Sequence, residues 1–167
     1  MTALLAFTVG LPATAQGVGV EMSRHDSSLP VEITSDDLSL DQTANTAEFR
    51  NNVVAVQGGL TLTTDSLLVE YGRNETSGAN EIIRVTATGK VVMVQEHPDD
   101  PGRKPDVAES AVAVYTIADE QIVMTGDVLV VQEDTVLTSD KMTYHLPTGK
   151  GVMEGRVTTL LVPKRDE

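Results

Sequence analysis

Two short motifs alternate along this chain, and their alternation limits the possible folds more than any other feature. The first sets an Asp or Ser behind apolar residues: Ile33-Thr34-Ser35-Asp36, Leu62-Thr63-Thr64-Asp65, Val107-Ala108-Glu109-Ser110 and Leu137-Thr138-Ser139-Asp140. Apolar residues follow two and four places on, at Leu38 and Leu40, Leu67 and Val69, Val112 and Val114, Met142 and Tyr144. The second motif is a turn-forming residue with Val two places later: Asn51 to Val53, Gly89 to Val91, Gly126 to Val128, Gly155 to Val157. Three of these continue to a Gln six places beyond the turn residue, at Gln57, Gln95 and Gln132. A unit this short cannot bury its own apolar face, so successive copies must stack and share a core.

The segments between the motifs are Val/Thr-rich and bounded by Gly, Asn, Asp and Pro, the composition of pleated strands. No segment of helical length carries a clean 3.6-residue apolar stripe. The one candidate, Asp106 to Ala118, spaces Val107, Val112 and Val114 with small or polar residues and reads as a strand. The fold class is all-β. The recurring Gly or Asn is a position for positive φ or a bulge, and the recurring Asp is expected to bond backbone amides where one strand breaks into the next. Inward positions are then Val31, Ile33, Leu60, Leu62, Leu67, Val69, Val91, Met93, Val112, Val114, Met142 and Tyr144. The opposite parity also carries Val54, Val56, Val92, Val94, Leu129 and Val131, which leaves the facing of those strands open. Gly72 to Asn80 and Glu96 to Lys104 are the polar loops.

Acidic residues outnumber basic ones 25 to 12, for a net charge of −13, which argues against nucleic acid as a partner. Cysteine and tryptophan are absent, and the aromatic residues are only Phe7, Phe49, Tyr71, Tyr115 and Tyr144, so the core is aliphatic. Met1 to Ala15 is uncharged and apolar and ends in Ala13-Thr14-Ala15, a small-x-small triplet; residues 1–15 read as a signal peptide cleaved before Gln16. Its basic n-region is missing, since Arg24 is the first basic residue, which predicts a true start upstream of Met1. A short terminal strand or helix is the alternative reading. Residues 16–29 form a flexible lead-in, 30–163 the domain and 164–167 a charged tail.

Catalytic signals are weak. His25, His97 and His145 lie far apart and lack metal-ligand spacing, so no metal or cofactor is expected. Asp36, Asp65 and Asp140 could suggest a glycosidase pair, but a group recurring in every repeat serves architecture, whereas catalysis needs two particular groups in one cleft. The chain reads as a binding or scaffolding protein rather than an enzyme.

The stretches Pro30 to Asp36, Val53 to Gln57, Thr125 to Val128, Ser139 to Tyr144 and Gly155 to Pro163 together resemble the OstA-like family of periplasmic lipopolysaccharide-transport bridge proteins. The closing Gly155-Arg156-Val157-Thr158-Thr159-Leu160-Leu161-Val162-Pro163 is the most specific part. The resemblance implies an open V-shaped β-jellyroll of about sixteen short antiparallel strands, whose apolar interior holds the acyl chains of lipid A. It implies stacking head to tail, between an inner-membrane-anchored partner of similar fold and an outer-membrane barrel translocon. The family's groove positions fall on Val31, Ile33, Met93, Val114 and Thr116.

The edge strands for self-association or partner binding are those around Val31 and Ile33 and around Val157, Thr159 and Leu161. An aliphatic interior suits acyl chains, yet the same residues could fill a closed core. The alternatives are another member of the same pathway, a structural β-solenoid or cell-surface scaffold without lipid cargo, and an enzyme acting on envelope glycans.

Overall fold

A computed structural model describes residues 29–161. The expected signal peptide, nearly all of the lead-in, Val162, Pro163 and the charged tail lie outside the described residues. Among the described residues ten strands form one antiparallel sheet: β1 (Glu32–Thr34), β2 (Asp37–Asp41), β3 (Thr46–Gln57), β4 (Leu60–Arg73), β5 (Asn80–Gln95), β6 (Asp106–Thr116), β7 (Gln121–Gln132), β8 (Thr135–His145), β9 (Lys150–Glu154) and β10 (Thr158–Leu161). Strands β3 to β8 pair in sequence order; β1 and β2 lie end to end along β3, and β9 and β10 along β8. The short strands leave the sheet open at both sides. Both polar loops fall where the sequence predicts, between β4 and β5 and between β5 and β6.

Every long strand is broken near its middle, and the breaks line up. Register shifts separate Arg50 from Val53, Thr63 from Ser66, Thr88 from Val91, Glu109 from Val112 and Thr125 from Val128. The second motif supplies two consecutive residues of positive φ at each of its breaks: Asn51-Asn52, Gly89-Lys90, Gly126-Asp127 and Gly155-Arg156. Such bulges bend a strand and sharpen its twist. Glycine is required at Gly126, where φ is +83° and an added Cβ would lie 2.7 Å from that of Ala111. Each broken strand thus has two arms. Counting arms of β3 to β8 separately, with the four short strands, gives the expected sixteen short segments.

Across each break sits the first motif, but it is the Ser or Thr that bonds the backbone, donating to carbonyls, rather than the Asp expected to accept from amides. The hydroxyls of Ser35, Ser110 and Ser139 donate to the carbonyls of Asp37, Val112 and Lys141 at 2.8, 3.0 and 3.0 Å. Thr64 Oγ1 lies 3.0 to 3.2 Å from the carbonyls of Thr88, Gly89 and Ser66. The Asp side chains instead meet the neighbouring break: Asp36 accepts from Asn52 Nδ2 at 2.6 Å, and Asp140 from Arg156 Nε at 2.7 Å. The hydroxyl residues Thr64, Ser110 and Ser139 are buried in the crowded bend and Ser35, at the sheet edge, is half-buried; the carboxylates of Asp36 and Asp65 are exposed.

This corrects the facing of β6. Ser110 occupies the hydroxyl position of the motif and Ala111 the Asp position, so the inward residues are Ala113 and Tyr115. Ala113 is buried in the core, while Val112, Val114 and Thr116 point to the other face, paired with Thr88, Thr86 and Arg84. In β3, β5 and β7 the open choice of face resolves to Val53, Val91, Met93, Val128 and Val130 inside. One core cluster joins both arms, with Val53, Met93 and Leu137 from one side of the bend and Leu67, Ala87, Met124 and Tyr144 from the other. The bent sheet packs its inner face on itself.

Candidate functional site

The inner face is a set of side-chain rows running from one sheet edge to the other. On the first arm the cross-strand register aligns Ile33, Ala55, Leu62, Met93, Ala108, Val130, Leu137 and Thr159. On the second arm it aligns Leu38, Phe49, Leu67, Ala87, Ala113, Met124, Met142 and Met153. Period-two alternation in each arm, restarted at each bulge, puts these residues on one side. All are apolar except Thr159.

Of the site residues expected from sequence, Ile33, Leu62, Leu67, Val69, Val91, Met93, Met142 and Tyr144 share this inner face. Val31 precedes β1 and is exposed. Val112, Val114 and Thr116 are on the outer face, as described above. Val157, Thr159 and Leu161 lie on the last edge, exposed. The inner rows are covered at mid-sheet and bare at the ends: Leu67 is 2% exposed, whereas Leu38 and Leu40 on β2 are 53% and 71% exposed. Eight of the eleven exposed large hydrophobic residues among those described lie on the two terminal segments, four before Asp41 and four after Gly151.

A polar row closes the first arm at the loop end. Gln57 faces Leu60, Leu60 faces Gln95, Gln95 faces Asp106, and Gln132 faces Thr135. Gln57 Nε2 donates to the Leu29 carbonyl at 2.7 Å and Gln95 Nε2 to that of Glu96 at 2.8 Å. The Asp106 carboxylate is 3% exposed, between His97 Nε2 at 3.2 Å and Arg103 Nη2 at 3.0 Å, and so ties the 96–105 loop to the sheet. The three glutamines stand out in the sequence by their spacing. The His97–Asp106–Arg103 cluster does not, because loop closure brings it together.

Charge elsewhere is peripheral. On the outer face Arg50 Nε donates to Glu48 Oε1 at 2.8 Å, and that hydrogen bond and charge hold the Glu48 carboxyl below its ordinary value. The hydrogen bond and charge of Asp140 raise the Arg156 guanidinium. On the inner face burial pushes the Tyr115 phenol up, with the Glu120 charge adding to it. No pair of carboxylates faces a cleft within these rows.

An open, bent antiparallel sheet with an apolar inner face and two bare edges defines an open β-jellyroll. The family model described as "LptA/(LptD N-terminal domain) LPS transport protein" matches residues 32–150, and the chain belongs to that family. It is 30% identical over 146 residues to the lipopolysaccharide export system protein LptA of Escherichia coli K12, covering 84% of this chain and 75% of that protein. Similarity to LptH of Pseudomonas aeruginosa is 24% over 119 residues, with coverage of 71% and 65%. The crystal structure of LptH, titled the LptA-homologous periplasmic component of the lipopolysaccharide transport device, superposes with a TM-score of 0.70 at 19% identity. It covers 83% of this chain and 99% of that one, and shows the shared fold.

Proposed function

We propose that this chain is a non-enzymatic periplasmic carrier that holds the lipid A acyl chains of lipopolysaccharide against the inner face of the sheet. It passes the lipid from the inner to the outer membrane through copies joined head to tail. An inner-membrane-anchored partner of similar fold and an outer-membrane barrel translocon are the ends of that path. The observation that carries this reading is the run of apolar rows from one bare edge to the other. Each acyl methylene taken out of water there contributes about 0.8 kcal/mol, so a few buried chains suffice for binding without charged contacts. The net charge of −13 fits phosphorylated headgroups that stay outside the apolar rows.

Photo-crosslinking to lipopolysaccharide tests it. Probes replace Ile33, Leu62 or Leu38 on the inner face, with controls at Val112 and Val114 outside. Adducts at the inner positions and none at the controls are expected. Silence at every inner position in a folded chain means a closed core, and returns a lipid-free structural scaffold to first place.

A further inference from the structure

The breaks that cross the sheet follow one rule. Eight break positions cross the sheet: Ser35-Asp36, Asn51-Asn52, Thr64-Asp65, Gly89-Lys90, Ser110-Ala111, Gly126-Asp127, Ser139-Asp140 and Gly155-Arg156. Hydroxyl and positive-φ types alternate without exception. Every neighbouring pair of segments therefore joins unlike breaks. Because eight is even, the first edge carries the hydroxyl type and the last edge the positive-φ type.

The register across each such step is constant. Where a positive-φ break is followed by a hydroxyl break, the residue before the positive-φ pair faces the residue two beyond the hydroxyl. The residue after the pair faces the hydroxyl residue itself. Arg50 faces Ser66 and Val53 faces Thr64. Thr88 faces Val112 and Val91 faces Ser110. Thr125 faces Lys141 and Val128 faces Ser139.

We infer that a second copy of this chain adds its β1–β2 edge to β9–β10 in that same register, as a fourth instance of the step. This rests on the head-to-tail reading above and specifies its geometry. Glu154 then faces Asp37 of the next copy, and Val157 faces its Ser35. On the inner face Thr159 meets Ile33 and Met153 meets Leu38, so both apolar rows continue across the junction and the bare Leu38 and Leu40 are covered. On the other face Lys150 meets Asp41. The acids Glu154 and Asp37 come opposite each other, but Lys141 Nζ holds Glu154 at 3.1 Å and Asn51 Nδ2 donates to Asp37 at 2.8 Å.

Charge selects the same polarity. The first edge carries Glu32, Asp36, Asp37 and Asp41 with no basic residue, whereas the last carries Lys150 and Arg156 against Glu154. Two first edges would set acid against acid and hydroxyl break against hydroxyl break, a combination found nowhere inside the sheet. Like charges directly opposite oppose pairing.

The test uses the absence of native cysteine. The chain carries Ile33→Cys together with one of Val157→Cys, Thr159→Cys or Leu161→Cys, is oxidised, and is run on a non-reducing gel, with circular dichroism to confirm folding. A ladder of multimers strongest with Thr159→Cys supports the register. A ladder strongest with Val157→Cys or Leu161→Cys overturns it while leaving head-to-tail assembly standing. Absence of any ladder, with a monomer in sedimentation at all concentrations, overturns both. A charge exchange checks the second arm: Asp41→Lys or Lys150→Asp alone weakens association about two- to fivefold, the range of an exposed ion pair. The double exchange restores it; equal losses in single and double variants count against the register.

Discussion

The hydroxyl at Thr64 carries more of the fold than the carboxylate beside it. Thr64 is buried, with its Oγ1 within 3.2 Å of three backbone carbonyls of β4 and β5 where both strands bend. Asp65 is exposed beside Gly89, where an added Cβ would lie 2.6 Å from its Oδ2. Removing the hydroxyl with Thr64→Val keeps the shape but takes the one O–H donor away from the carbonyls crowded around it, a loss of about 1–3 kcal/mol. Asp65→Ala removes only a solvated carboxylate and is expected to stay within about 0.5 kcal/mol. Urea unfolding of the two variants compares these directly, and a larger loss in Asp65→Ala would restore to the acid the role that its recurrence suggests. At two of the breaks the Asp lies over the glycine of the next strand, Asp65 over Gly89 and Asp140 over Gly155.

At the scale of the strand, a one-residue slip in aligning the motifs is enough to turn an arm over. Strand β6 shows it, because Ser110 resembles Asp65 by position in the motif but matches Thr64 by hydrogen bonding. Side-chain facing has period two, so the slip exchanges Val112 and Val114 for Ala113 and Tyr115. Introducing charge separates the faces: Ala113→Asp, which sets a carboxylate in the core, is expected to lose several kcal/mol or fail to fold. Val114→Asp on the half-exposed outer face is expected to lose about 1 kcal/mol, read from the midpoint of thermal unfolding. A milder effect at Ala113 than at Val114 would show the arm facing the other way. The strands, their order of breaks and both long loops were legible because turn residues and Val/Thr runs act locally. The inner rows of β4 and β8 were legible too, whereas β3, β5 and β7 carry apolar residues on both parities and their facing was left open. What escaped depends on distant contacts: the facing of β6 on a hydrogen bond to a bent backbone, and the Asp106 cluster on the path of the 96–105 loop.

At the scale of the whole molecule, the proposed head-to-tail assembly sets two demands against each other, since it brings together along an edge copies that carry −13 each. The favourable part of the proposed junction is short-ranged: backbone hydrogen bonds, Ile33 and Leu38 covered by the neighbouring copy, and one exposed Lys150–Asp41 pair worth less than about 1 kcal/mol. The unfavourable part is long-ranged. Bodies of this charge repel by roughly a few kcal/mol when the Debye length is about 30 Å, near 0.01 M salt, and hardly at all when it is about 8 Å, near 0.15 M. Screening therefore removes more repulsion than attraction. Association measured by sedimentation equilibrium is expected to tighten at least tenfold between about 0.01 and 0.15 M salt. Further salt, beyond the point where repulsion is gone, should change it little, because apolar rows and backbone bonds remain. A steady weakening with salt would instead mean that edge ion pairs dominate the junction, with the continuity of the apolar rows contributing little to assembly.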